Sequence, residues 1–318
     1  MTRTLRIATR GSQLALWQAN AIRDALLAAD PELEVEISVV RTKGDRITDA
    51  PLSRIGDRGL FTKEVDGAVL EGGADIAVHS LKDLPTRITT GLTLVAVTAR
   101  EDPRDVLIGP PGSTVALDTL PPGARVGTSS LRRRAQLLAT RPDLRVEDLR
   151  GNLNTRFDRL EAGDYDAILL AAAGVIRLGM AERIAEYLEP ERWLPAVGQG
   201  ALAVVARADD ARTAERLSTL HDVPTGCAVA AERALLRELE GGCQIPIGAL
   251  AEVDGDDLRL TAFVSSLDGK RLLRHQRTGK VAEAEEIGRL AAAALREQGA
   301  DAILAEIRSQ EAVPPTAP

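Results

Sequence analysis

Arginine gathers at three points where a strand-like run turns into a helix. Arg10 closes the run LRIATR and is followed by Gly11 and Ser12. The stretch RVGTSSLRRRAQ (125–136) reads as a strand, a Gly-Thr-Ser-Ser turn holding Thr128 and Ser129, and a first helical turn carrying Arg132, Arg133 and Arg134. In DLRGNLNTR, Arg150 ends a strand, Gly151-Asn152 turn the chain, and Arg156 lies in the next helix. Free backbone N–H groups and the positive end of a helix dipole make such turns anion sites. Guanidinium adds forked donors that match carboxylate or phosphate. A capped surface helix with solvated arginines reads the same at any single turn. Three turns in one chain, at the ends where open α/β sheets bind ligands, point to a polyanionic ligand.

AVHSLKDLPT (77–86) places His79, Ser80, Lys82 and Asp83 at a strand exit stopped by Pro85. Asp83 beside a cation is an anion near neutral pH, the unperturbed carboxyl titrating at about 3.9. That suits the stabilisation of a cationic intermediate; proton donation would need burial to raise its pKa. An ordinary strand exit with solvated charges is the competing reading. EGGCQIPIGAL (240–250) puts Cys243 after two glycines on a loop, and the residues alone leave it either reactive or inert. Cys227 shares helical spacing with Ala230, Ala231 and Ala234 and reads as a buried, inert thiol. His79, His221 and His275 are scattered, so neither cysteine has partners for zinc, and no metal is expected.

The elements that would position these groups follow from periodicity. Through two thirds of the 318 residues, short β-like runs alternate with amphipathic helical runs, the pattern of α/β domains with mostly parallel sheets. A helix to about Ala29 is capped by Ser12 and buries Leu16, Ala19, Ile22 and Leu26. Residues 42–59 form a long polar loop, read as a lid. REDPRD (100–105) and LPAVGQGAL (194–202) read as two crossings, the second leading into a strand that rejoins the first sheet. From Val223 the pattern becomes helix, three strands joined through Asp254-Gly255 and Asp268-Gly269, and a closing helix pair. The expected division is 1–99 with 200–220, 105–193, and 223–310, leaving 311–318 as a disordered tail.

Net charge is −7, and aromatic residues are few, which excludes a general nucleic-acid or membrane-surface binder. Only five basic residues are lysine, the rest arginine. Two cysteines, no secretory run and no stretch long enough to span a bilayer give the expectation of a cytoplasmic protein.

Taken in order, RIATRGSQLALWQA, TKGDRITDAPLSRIGDRGLFTKEVDGAVLEGGADIAVHSLKDLPT, REDPRDVLI, GTSSLRRRAQL, DLRGNLNTR, DAILLAAAGVIRLG, PAVGQGAL and ERALLRELEGGCQIPIGA resemble the porphobilinogen deaminase (hydroxymethylbilane synthase) family along nearly the whole chain. The resemblance implies two periplasmic-binding-protein-like α/β domains joined by a double crossing, plus a C-terminal α+β domain with a small antiparallel sheet. It implies a transferase joining four porphobilinogen units head to tail, with release of ammonia and finally of hydroxymethylbilane; a monomer is expected. It also implies a dipyrromethane cofactor in thioether linkage to Cys243. Asp83 then corresponds to the catalytic aspartate, stabilising the methylene-pyrrole cation left when ammonia departs. Ser80, Lys82, Asp83, Thr128, Ser129, Arg132 and Arg133 would hold the cofactor, and Arg10, Ser12, Arg150, Arg156 and Arg177 the substrate or growing chain. Phe61 resembles a position facing the cleft. Departures are small: Arg54 and Arg58 stand where lysines are frequent, and Val205 where glutamate is common.

Two other classes fit parts of the pattern. A solute-binding protein would explain the anion turns but not the Gly-Gly-Cys loop or the third domain. A nucleotide-dependent enzyme could use the GTSS turn, but no P-loop or G-x-G-x-x-G follows a strand.

Overall fold

The computed structural model describes residues 4–46, 59, 62–239 and 245–311. Most of the expected lid (47–58), with Arg54 and Arg58, and also Phe61, Cys243 and residues 312–318 lie outside them.

Apart from one helical turn at Lys43–Arg46, inside the segment expected to be loop, the elements in chain order are β1 (Leu5–Arg10), α1 (Gln13–Ala29), β2 (Val35–Val40), α2 (Lys63–Leu70), β3 (Ile76–Ser80) and β4 (Leu92–Val97). There follow β5 (Asp105–Ile108), β6 (Arg125–Gly127), α3 (Leu131–Thr140), β7 (Arg145–Glu147), α4 (Leu153–Glu161), β8 (Ala167–Ala171), α5 (Ala172–Arg177) and β9 (Glu186–Leu188). The chain closes with β10 (Leu202–Arg207), α6 (Ala211–Leu217), α7 (Val223–Glu238), β11 (Ile247–Asp254), β12 (Asp257–Ser265), β13 (Leu272–Lys280), α8 (Ala284–Glu297) and α9 (Ala300–Glu311).

Two five-stranded sheets share one plan. The first is ordered β2-β1-β3-β10-β4 and the second β7-β6-β8-β5-β9. In each, three parallel strands are followed by an antiparallel strand that has just arrived from the other lobe: β10 against β3, and β5 against β8. LPAVGQGAL therefore does lead back into the first sheet, and the two crossings run side by side, Glu101 N donating to Gly200 O at 3.1 Å. The inner strands β3 and β10 of the first sheet and β8 and β5 of the second are apolar on two faces because helices cover both, while the edge strands β2 and β7 are partly exposed. Val205 is buried in one of these apolar clusters. The third unit is the antiparallel sheet β11-β12-β13 packed on α7, α8 and α9.

Ser12 caps α1, its hydroxyl accepting from Ala15 N at 3.3 Å. The buried face of α1 is Ala15, Gln18, Ala19, Ile22 and Leu26; Leu16, expected there, is half-exposed. The face is rotated because Gln18 turns inward to donate to Ser80 Oγ at 2.7 Å.

Glu232 of α7 joins all three units. Its fully buried carboxylate takes Arg100 Nη1 at 2.8 Å and Nη2 at 3.0 Å from the first crossing, Gly198 N at 2.7 Å from the second, and Ala251 N at 2.9 Å from β11. Glu232→Gln keeps the shape but leaves the Arg100 charge buried without its counter-ion. It is expected to cost about 3–5 kcal/mol, read as a lowered midpoint of thermal unfolding; an unchanged midpoint would contradict the role.

Candidate active site between the two lobes

The carboxyl ends of β1 and β3 lie side by side in the first lobe, and those of β6, β7 and β8 in the second, where open α/β sheets expose backbone donors to a ligand. From the first lobe come Arg10, Ser12, Ser80, Lys82 and Asp83; from the second, Thr128, Ser129, Arg132, Arg133, Arg150, Arg156 and Arg177. The lobes meet at the rim of the cleft. Asn154 Nδ2 donates to Gln13 Oε1 at 2.7 Å, and the Arg177 guanidinium stands 5.4 Å from the centre of the Trp17 ring.

Asp83 ends a single 3₁₀ turn, Leu81–Asp83, that follows β3 directly. Leu81 N donates to Ala201 O at 3.0 Å, which pins the start of this turn to the second crossing. The residues after Asp83 are held from α7: Arg233 donates to Leu84 O at 3.1 Å, Pro85 O at 2.7 Å and Thr86 O at 3.2 Å. Burial pushes Arg233 down to about 10. The half-buried Asp83 carboxylate acts electrostatically on both Lys82 and Arg156, so it stands among cations from both lobes.

Those cations repel one another. Burial, with Arg133 and Arg132 acting in the same direction, lowers Lys82 to about 8, against the pull of Asp83 and Asp105. Burial and then Arg133 and Arg150 push Arg156 down to about 10, with Asp83 opposing. Lys82 Nζ donates to Gln199 Oε1 at 3.3 Å.

Behind the site lies a carboxylate that sequence reasoning missed. Asp105, fully buried at the start of β5, accepts from Arg132 at 2.5 and 3.2 Å, Arg133 Nη2 at 2.8 Å, Trp193 Nε1 at 2.8 Å and Gln199 Nε2 at 2.9 Å. Burial alone would raise its pKa, but Arg132 and Arg133 outweigh burial and hold it below the ordinary carboxylate range. Arg132 also donates to Leu194 O at 2.7 Å, so its guanidinium is turned inward. Arg133 gives Nη1 to Leu169 O at 3.0 Å and keeps Nε for another acceptor. The hydroxyls are partly used as well. Ser129 Oγ donates to Leu149 O at 3.0 Å, Thr128 Oγ1 accepts from Ser130 N at 3.2 Å, and Ser80 accepts from Gln18. The signals for the missed residues were the polar positions inside REDPRD and PAVGQGAL, which read as crossings rather than as part of a site.

Arg133 Nε, Arg150 Nη1 and Arg177 Nε are buried without a hydrogen-bond partner among the described residues, and Arg150 and Arg177 make no ion pair there. Arg177 otherwise donates to Gly200 O at 2.6 Å. Arg100 Nε and Arg183 Nη2 are also unpartnered, but Glu232 and Glu161 already neutralise those two guanidiniums. Buried donors on charged groups are costly to leave unmet. The cleft therefore fits an acidic ligand with several carboxylates, as an acidic oligopyrrole has.

Residues 5–215 match the family model described as porphobilinogen deaminase, dipyromethane cofactor binding domain, and residues 227–297 its C-terminal domain. The chain is 51% identical to porphobilinogen deaminase of Chloroherpeton thalassium over 98% of its own length and 100% of that protein. It is 51% identical to the Chlorobium chlorochromatii protein of that name (97% and 99% covered) and 47% identical to that of Geotalea uraniireducens (97% and 96%). Among solved structures, the VFT2 domain of Bordetella pertussis BvgS (double mutant) superposes with a TM-score of 0.42 at 15% identity, covering 73% of this chain and 92% of that one.

Proposed function

Because the chain belongs to the porphobilinogen deaminase family, we propose that the cleft between its lobes is where that family's reaction takes place, with Asp83 at the reacting atoms and Cys243 as the cofactor anchor. The chain is a transferase of tetrapyrrole biosynthesis: it deaminates four porphobilinogen molecules, joins them head to tail on a dipyrromethane cofactor and releases hydroxymethylbilane. When bound, dipyrromethane supplies the pyrrole carbon at which elongation begins.

The observation that carries the site assignment is the half-buried Asp83 carboxylate set among Lys82, Arg133, Arg150 and Arg156, with guanidinium donors of the second lobe left unmet. Each porphobilinogen brings an acetate and a propionate. Arg133, Arg150 and Arg177 have donors to give them, each such bond contributing roughly 1.5–3 kcal/mol. Lys82, Ser80, Thr128 and Ser129 line the cofactor side, and Arg10, Ser12 and Arg156 the side from which substrate enters. Arg132 and Arg133 both pair with Asp105; Arg132 is turned to Leu194 O and fixes the turn, while Arg133 still has its Nε to give. Asp83 faces the positive charge that develops on the substrate pyrrole as ammonia leaves and holds or moves the proton at the departing amine.

The protein acts as a monomer in the cytoplasm, with porphobilinogen as its substrate and no nucleic-acid or membrane partner. The net charge of −7 argues against a nucleic-acid or membrane-surface partner, and among the described residues no helix is long and apolar enough to cross a membrane. Incubation with porphobilinogen tests the function: ammonia release, hydroxymethylbilane in solution and protein species heavier by successive pyrrole units are expected. Absence of all three would overturn it.

Lys82 gives a pH signature. Its pKa is lowered on folding, so between about pH 8 and the ordinary 10.5 the fold binds fewer protons than the unfolded chain. This contribution costs stability below about pH 8, and the cost is relieved as pH rises through that window. A bound carboxylate pulls the pKa back up. Binding of a non-reactive pyrrole dicarboxylate is therefore expected to take up protons at about pH 8.5 and almost none at about pH 6. Calorimetry in buffers of different ionisation heat measures this; Lys82→Met should abolish the uptake, and persistence of the full uptake would refute the assignment.

A further inference from the structure

The turn between β12 and β13 is braced from within. Asp268 Oδ1 accepts from the Ser266 hydroxyl at 2.6 Å and from Lys270 N at 3.1 Å, Ser266 Oγ accepts from Arg271 N at 3.1 Å, and Gly269 N donates to Ser266 O at 3.0 Å. Arg271 pairs with Glu306 of α9, which ties the turn to its own domain. The tip lies against α3 of the second lobe. A Cβ on Gly269 would stand 2.5 Å from both Ala135 O and Ala139 N, and 3.0 Å from Leu138 C. These are backbone atoms, so no side-chain movement makes room. Nearby, Arg274 of β13 donates to Glu191 O at 2.6 Å and Pro190 O at 2.8 Å.

The first turn of α3 carries Arg132 and Arg133, so this helix is gripped from two sides: by Asp105 through those arginines, and by the hairpin tip. The domain that supplies the tip also holds the carbonyls after Asp83 through Arg233. One body thus touches both halves of the site. We propose that the Gly269 tip is a positioning element for the reaction, a rigid stop that keeps α3, and with it Arg133, at its working distance from Asp83. This rests on the reading of the cleft as the site of elongation.

The chain contains its own control. Gly255 follows an aspartate at the other hairpin and is also left-handed, φ +57° against +72° for Gly269, but a Cβ there meets nothing within 4 Å. Asparagine tolerates that backbone region. Gly255→Asn therefore carries the cost of the turn alone, and Gly269→Asn carries that cost plus the collision with α3.

Hydrogen exchange of residues 131–140 and steady-state kinetics with porphobilinogen read the difference. Gly255→Asn is expected to keep wild-type exchange in that helix and kcat/KM within about twofold. Gly269→Asn is expected to speed exchange there by about tenfold and to raise KM by about tenfold with a smaller change in kcat. Asp268→Ala softens the turn without adding bulk, so a smaller effect of the same direction is expected, and it decides the matter should Gly269→Asn not fold. Unchanged exchange at 131–140 in the folded variants, or a KM equal to that of Gly255→Asn, would overturn the proposal. A wild-type chain that fails to turn over porphobilinogen would instead count against the function, and the exchange comparison would still test the stop.

Discussion

Cys243→Ser protein is expected to weigh no more than its bare polypeptide and to release no ammonia from porphobilinogen, whereas the unaltered chain carries the added mass of two pyrrole rings. A thiol supplies a useful fraction of thiolate at neutral pH and is intrinsically nucleophilic, while a serine hydroxyl is a weak nucleophile without a dedicated base. The chain has two cysteines, which makes the assignment testable by exchange. Cys227, expected to be buried, is only partly so: it sits within α7 and packs against the apolar core of the C-terminal domain rather than standing on a loop. Cys227→Ser is therefore expected to keep the adduct and full turnover. Intact mass of both variants, with ammonia release, separates the possibilities; an adduct that survives in Cys243→Ser or disappears in Cys227→Ser would sink the assignment.

Local pattern carried much of the fold into view. The alternation of apolar runs located the strands, and the position of LPAVGQGAL after the second lobe foretold a strand returning to the first sheet, because a chain that leaves a lobe mid-sheet must come back to complete it. The turn arginines were equally legible, since strand ends in α/β sheets converge on one edge. What each arginine touches was not. Arg132 and Arg133 are adjacent and look equivalent in sequence, and both pair with Asp105, yet Arg132 turns to Leu194 O while Arg133 gives Nη1 to Leu169 O and retains a buried, unpartnered Nε. Both ion pairs depend on a carboxylate, 27 positions from Arg132 in sequence, that only the folded sheet brings alongside. Nothing local marks Gln18 for burial on its amphipathic helix; its inward turn toward Ser80 follows from tertiary pairing of β1 with β3. Glu232 reads as an ordinary helical glutamate; its role arises because two crossings and β11 meet over one point of α7. Both Asp-Gly turns were visible, but nothing local marks Gly269 as the one pressed against a helix.

Asp83→Asn is expected to lower kcat for porphobilinogen by about a thousandfold while leaving KM unchanged or lower, as removal of a preorganised electrostatic group from a reacting centre does. The amide keeps the size and most hydrogen-bonding capacity of the carboxyl group and removes only its charge. Within the cleft that charge is opposed by Lys82 and Arg156, with Arg133 and Arg150 close behind. Without it, a developing positive charge on the substrate would face cations from both lobes. Binding responds in the opposite sense, because the carboxylates of the substrate meet a more positive cleft. Asp83→Glu restores the charge but moves it by one methylene, and an intermediate loss of kcat is expected. The substitution also has a proton signature: Asp83 is the strongest of the groups that raise the Lys82 pKa, so in Asp83→Asn the lysine titrates below about 8 and ligand-linked proton uptake begins at lower pH. A variant with kcat within tenfold of the unaltered chain, or with uptake at the original pH, would show that Asp83 neither faces the reacting charge nor belongs to the cation cluster around Lys82.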